Sequence, residues 1–251
     1  LPAVRRLINQ GSHRLKQFYS GVPSTTPAVQ GELFFGMKTA VPSFDFIDRK
    51  TSEQHVMYYP WSADKIAEKL SRRGEPLLAN GSSYANIYTA GADEARYCAQ
   101  TMKLESLVKS INPLKLVGFL FLYAGKIGRV LGFALLELGL AVTDFLRGVA
   151  DKQNVFKELK FIPTRVFLCI VLRELIRFRM KQDIKKGIRI IHANLNGYDE
   201  QAHRRGPDSA FAHWTLKGID DLIQDIHRTA LRARSRRYDL ILYSDHGQEK
   251  V

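Results

Sequence analysis

The chain has 251 residues, 45% hydrophobic and 25% charged, enough for one α/β domain or for one such domain carrying a large insertion. Its formal net charge of +13, from 38 Lys and Arg against 25 Asp and Glu, excludes a charge-balanced surface and points to a polyanionic partner. Two scattered cysteines, Cys98 and Cys169, exclude a disulfide framework and a thiolate metal site; they read as buried free thiols, as in a reducing compartment.

Residues 1–11 read as an amphipathic helix. Leu1, Val4, Leu7 and Ile8 share one face, Arg5 and Arg6 another, and Gly11 closes it. A short strand is expected at 14–19. Gly21-Val-Pro-Ser-Thr-Thr-Pro-Ala then feeds a helix that ends at Gly36, with Thr26 expected at the N-cap and Pro27 at the first helical position. Another helix is expected at 62–72, and the Gly-, Ser- and Asn-rich stretch 76–91 reads as a loop at the rim of a site.

Residues 105–184 differ in character. They are strongly helical and apolar, with peaks at 116–124 and 130–142, and a further helix at 166–178 carries Arg173, Arg177, Arg179 and Lys181 toward its C-terminal end. This block reads as an inserted helical subdomain, dividing the chain into 1–104, 105–184 and 185–251. No apolar run reaches the roughly 20 residues of a spanning helix, because Lys126, Arg129 and Glu137 interrupt the longest. The expected placement is on, or dipping into, an anionic bilayer, with the basic side chains at the head groups; a soluble helical cap is the alternative. Gly128 and Gly132 are spaced for close helix contact. No zinc-finger or RNA-binding signature is present, so a membrane surface is preferred to nucleic acid as the partner, and a membrane-associated location to a cytoplasmic one.

The α/β pattern then resumes. A buried strand is expected at 188–195, a long helix at 209–232 and a second buried strand at 238–243. Strand, helix, strand in this order implies a mainly parallel sheet flanked by helices.

Two acid–imidazole pairs stand where the two strands end, which is where open α/β sheets place their ligands. Asp199 and His203 are four residues apart, so one turn of chain aims both at one cation; Asp245 and His246 are adjacent, ahead of the permissive Gly247. Carboxylate and imidazole suit Zn²⁺, Mn²⁺ and similar ions. The third element is Pro23-Ser24-Thr25-Thr26-Pro27, which sets a hydroxyl at a helix N-terminus, in positive potential and beside free N–H groups. Other polar residues have plainer readings. His192 reads as a hydrogen-bonded core histidine. Asn80, Ser82, Ser83 and Asn86 read as turn residues or substrate contacts, and Arg204 and Arg205 as surface or phosphate-binding arginines.

Pro-x-x-Thr at a helix start, then Asp-x-x-x-His-x-x-Gly-Pro, then Ser-Asp-His-Gly resembles the alkaline phosphatase superfamily, and within it the type I phosphodiesterase/nucleotide pyrophosphatase branch. The resemblance covers roughly 1–100 and 187–251 and implies an alkaline phosphatase-like α/β fold. It implies Thr26 as nucleophile, by its spacing from Pro23 and Gly36, with Thr25 as the fallback. It further implies two divalent cations, zinc first, with manganese or magnesium as alternatives. Asp199 and His203 would bind the one that activates water, Asp245 and His246 the one beside Thr26. The family's first metal-binding Asp is expected before Leu1 and its last His after Val251, as in a chain truncated at both ends. The activity implied is hydrolysis of phosphate esters on a small-molecule or lipid substrate. The alternatives are a lipid head-group phosphotransferase, a sulfatase-like enzyme, or a non-catalytic membrane-associated module.

Overall fold

The computed structural model describes residues 1–38, 40–102, 124–150 and 155–248; the first apolar peak, up to residue 123, lies outside them. α1 (Pro2–Asn9) opens on a proline, which lacks the N–H that a first turn leaves free. The next two amides, of Ala3 and Val4, donate to the carboxylate of Asp220 at 2.8 and 3.3 Å. A residue more than 200 positions away thus caps this helix and ties the start of the chain to the far end of the fold.

α2 (Thr26–Phe35) and α3 (Pro60–Ser71) pack on one apolar core built from Phe34, Phe35, Val41, Met57, Leu78 and Tyr88. α2 stops where Gly36 turns left-handed at φ 68°. α3 begins earlier than expected because Pro60 takes its first position. Between the two helices, β1 (Asp45–Asp48) and β2 (Glu53–Val56) form an antiparallel hairpin.

The main sheet is parallel, in the order β4–β3–β5, from β3 (Ser82–Tyr84), β4 (Glu94–Arg96) and β5 (Ile191–Ala193). Its central strand comes from the stretch expected to be a rim loop. Ser82 and Ser83 are fully buried in it. Small residues let β5 draw close: a Cβ on the preceding Gly81 would fall 2.5 Å from Ile190. Such residues carry no hydrophobic period, so patterning misses the strand. Asn80 does serve a turn, with its backbone left-handed at φ 59°.

The helical part comprises α4 (Ala124–Ala150), α5 (Val155–Val166) and α6 (Arg173–Lys186), the last two joined by a π-helical stretch, Phe167–Leu172. The helix expected at 166–178 is therefore the middle of a longer run. Among the described residues Gly128 and Gly132 do not mediate helix contact, since a Cβ on either would meet nothing within 4 Å. α4 meets its neighbours through Glu137 and Ala141, both buried, and turns Gly128, Gly132 and Gly139 outward. α6 packs on β5 and on α8 (Ala210–Leu231), which packs in turn on α7 (Tyr198–Arg205). Ser209 caps α8, its Oγ accepting the Ala212 N–H at 3.2 Å.

Two expected strands do not form. Among the described residues, neither 14–19 nor 238–243 makes a backbone ladder, and β5 itself is three residues long and half-buried. The 238–243 segment runs beside β5 but is attached by side chains. Tyr238 O–H donates to the Ile188 carbonyl at 2.7 Å, and Tyr243 O–H lies 2.7 Å from His192 Nε2. Phe18 rests edge-on against Tyr243. Ile241 is 81% exposed, so the apolar run finds no layer to pack on, and strand preference is largely a preference for such a layer.

Candidate active site

The start of α2 differs by one residue from the expectation. Thr25, not Thr26, is the N-cap, with φ −106° and ψ 148°; Thr26 is the first helical residue and Pro27 the second. The Thr25 carbonyl accepts both Ala28 N–H and Val29 N–H at 2.9 Å. Proline has no N–H, so the first turn offers one amide, that of Thr26, instead of the several expected. The Thr25 hydroxyl does not cap the helix; it is buried without a hydrogen-bond partner. Thr26 is buried too, at 8% exposure. Tyr88 O–H donates to the Pro27 carbonyl at 3.2 Å and fixes this turn against the core.

Gly197 is the N-cap of α7; its φ of 109° favours glycine, and a Cβ there would lie a tight 3.1 Å from Cys169 Sγ. Glu200 reaches back to accept the Gly197 N–H at 2.5 Å, one half of a capping box. Burial pushes the Glu200 carboxyl above its ordinary range. The helix sets Asp199 and His203 one turn apart on its exposed side.

The two acid–imidazole pairs come together. Asp199 Oδ1 lies 3.2 Å from His203 Nε2 and 3.7 Å from His246 Nε2, and His246 Nε2 lies 4.0 Å from Asp245 Oδ1. The His203 and His246 rings are 6.3 Å apart. Gln248, not anticipated from the sequence, donates its side-chain amide to Asp199 Oδ1. Partial burial, and then the charges of Glu200 and Asp199, push the Tyr58 phenol up.

Two carboxylates and two imidazoles are the right donors for a borderline divalent cation. Their arrangement is a cluster in which the His203 and His246 rings face Asp199 Oδ1 at ion-pair distance and, of the described side chains, Gln248 alone hydrogen-bonds to that oxygen. Among the described residues no three His, Cys, Asp or Glu side chains are set to hold a metal ion. No hydrogen bond or ion pair among the described residues joins Thr26 to the cluster.

The link between them runs through the interior. Gln30 of α2 donates to Asn86 Oδ1 at 3.3 Å, His192 Nδ1 of β5 meets the same oxygen at 3.0 Å, and His192 Nε2 meets Tyr243. Burial pushes the His192 imidazole down to about 4, against the pull of Asp245. His192 is thus hydrogen-bonded, as the sequence suggested, but half-buried and not a core residue. Asn86, Ser82 and Ser83 are interior residues and not rim contacts, and Arg204 and Arg205 are engaged within the chain. Cys98 and Cys169 are buried free thiols; burial pushes Cys169 up to about 11.

Together these features define an α/β protein with acid–imidazole pairs gathered beside the end of a parallel sheet. The chain matches the family described as type I phosphodiesterase / nucleotide pyrophosphatase over residues 1–251, and it belongs to that family. No curated protein and no solved structure matches it.

Proposed function

We propose that this chain carries the nucleophile and four metal ligands of a divalent-cation-dependent phosphate-ester hydrolase. The observation that supports it best is the convergence of Asp199 and His203 with Asp245 and His246, two pairs more than 40 residues apart in the chain. Thr26 Oγ attacks phosphorus, its proton passing to solvent, and the bond to the leaving oxygen breaks with the electron pair going to that oxygen, giving a threonine phosphoester. Water then attacks the same phosphorus, the bond to Oγ breaks, and the hydroxyl is restored. The Thr26 amide, at the positive end of α2, is available to a non-bridging oxygen. Asp199 with His203, and Asp245 with His246, would each hold one cation, zinc by donor type, which when bound supplies charge neutralisation and a lowered pKa for water or hydroxyl.

The test is hydrolysis of bis(p-nitrophenyl) phosphate by the full chain, with metal content measured alongside. Thr26→Ala is expected to lower kcat by roughly a thousandfold or more while metal content holds, and Asp199→Asn to lose both. Wild-type turnover in Thr26→Ala with loss in Thr25→Ala would move the nucleophile by one residue. Chelator-insensitive turnover would remove the cations from the reading.

We also propose that α4 lies on an anionic bilayer. Leu131, Leu135, Leu138, Val142 and Leu146 follow one another at helical spacing and are all exposed, whereas the buried side of the same helix holds Glu137. No described helix is long and apolar enough to cross a membrane, so the apolar stripe fits a helix lying in the interface. A second copy of a chain with net charge +13 would bring like charges together; anionic lipid supplies the opposite sign. Vesicles containing phosphatidylserine are expected to pellet the protein, less so at high salt and not with Leu135→Glu/Leu138→Glu. A protein that stays in the supernatant at low salt, or sediments as a dimer lost in that variant, overturns the proposal.

A further inference from the structure

The segment that carries Asp245 and His246 has no backbone ladder among the described residues to hold it in register. Two tyrosine hydroxyls attach it, Tyr238 on the Ile188 carbonyl just before β5 and Tyr243 on His192 within β5. The second lies two residues before Asp245. Hydrogen-bond roles at His192 follow from its partners. The Asn86 amide nitrogen donates to Ser83 Oγ at 2.8 Å, so the oxygen facing His192 is an acceptor and Nδ1 must carry the proton. Nε2 is then the acceptor for the Tyr243 hydroxyl. Asn86 Oδ1 is shared with Gln30 Nε2, and Gln30 Oε1 accepts the Ile87 N–H at 2.8 Å. Phe34 of α2 sets its ring edge-on to His192, 4.8 Å between centroids. One imidazole therefore touches the helix that begins at Thr26, the loop after β3, and the chain that leads to Asp245.

We infer that His192 is a positioning residue, which through the Tyr243 hydroxyl sets where Asp245 and His246 stand relative to α2. It touches none of the reacting atoms. The consequence for chemistry rests on the two-cation hydrolase reading; the positioning itself does not. A neutral imidazole with the proton on Nδ1 is the state this geometry needs, and burial favours that neutral state.

The test pairs Tyr243→Phe, which removes one hydroxyl, with His192→Ala and His192→Gln in the full chain. The first readout is the ¹⁵N–¹H spectrum of the histidine side chains, which needs neither metal nor activity. His192 is expected as the Nδ1–H tautomer, and Tyr243→Phe is expected to shift the His246 ring resonances while circular dichroism stays that of the wild type. The second readout is Mn²⁺ affinity by calorimetry. It is expected to weaken about tenfold or more in Tyr243→Phe and His192→Ala, the scale on which supporting partners of metal ligands act, with partial recovery in His192→Gln. Should Tyr243→Phe fail to fold, His192→Gln against His192→Ala carries the comparison. An unmoved His246 resonance in a folded Tyr243→Phe, or His192 found with its proton on Nε2, overturns the inference. A wild type that binds no Mn²⁺, with the resonances shifting as expected, defeats the two-cation reading and leaves the positioning intact.

Discussion

The two ends of this fold bury their interiors in opposite ways. Around α2 and α3 the core is apolar, with Phe34, Val41, Met57 and Leu78 removed from solvent and Gln30 bonded to Asn86 and to the Ile87 amide among them. Around α4 to α8 the interior holds ions: Glu137 pairs with Arg165 and accepts the Trp214 indole N–H at 3.0 Å, and Arg173 and Arg177 lie buried against Glu174. Arg165 also lies 4.6 Å from the centre of the Phe211 ring. Outside, the same helices expose leucine and phenylalanine, Leu135 at 69% and Phe156 at 78%. Burying an ion is costly unless it is paired, so the second region depends on specific partners where the first depends on volume. The candidate site lies at the seam, with Thr26 from the apolar side and Asp199 from the ionic side.

The largest effects expected separate these two kinds of interior. Phe34→Ala and Glu137→Ala should each cost about 3–5 kcal/mol, the first by leaving a cavity, the second by leaving a buried guanidinium without its carboxylate. Only the second is open to rescue. Glu137→Leu combined with Arg165→Met is expected to recover most of the loss in urea unfolding, because an apolar pair needs no partner. A double variant as unstable as the single one would mean that the two regions do not differ in this way.

A smaller effect tests the seam. The His192 imidazole is pushed down to about 4 in the folded chain from an ordinary value of 6.5, so the unfolded chain takes up a proton first as pH falls. Stability is therefore full above 6.5 and declines as pH falls toward 4, by about 3 kcal/mol, and the decline should flatten in His192→Gln. Urea midpoints across that range check the sign. The smallest effect is local. Ser209→Ala should cost about 1 kcal/mol by removing the α8 cap, wherever the ions lie.

Long periodic helices were legible from patterning: α8, expected at 209–232, runs from Ala210 to Leu231, with Ser209 as its cap. The acid–imidazole pairs were legible as motifs, because their spacing survives in the chain as written. The central strand β3 was not, since Ser82, Ser83 and their neighbours have no apolar alternation. Nor were Gln30, Gln248 and Tyr243, whose roles arise from partners 49 to 57 residues distant. The 238–243 run erred in the other direction. Its residues have the composition of a buried strand, yet a strand also needs an edge to pair with and a layer to cover it.

Composition and helical period, local properties of the chain, pointed to an α/β protein, and the spacing of its motifs picked out Asp199, His203, Asp245 and His246; the phosphodiesterase type came from the resemblance of those motifs to a family, which the family match bears out. Tertiary structure decided the rest. It made Thr25 the cap and Thr26 the first helical residue, gathered the two pairs around one carboxylate oxygen, and placed His192 between α2 and Tyr243. It also turned Glu137 inward and the leucines of α4 outward. Those outcomes depend on which buried donors and acceptors find partners across long stretches of chain, and a hydrogen-bond partner many residues away leaves no period in the sequence.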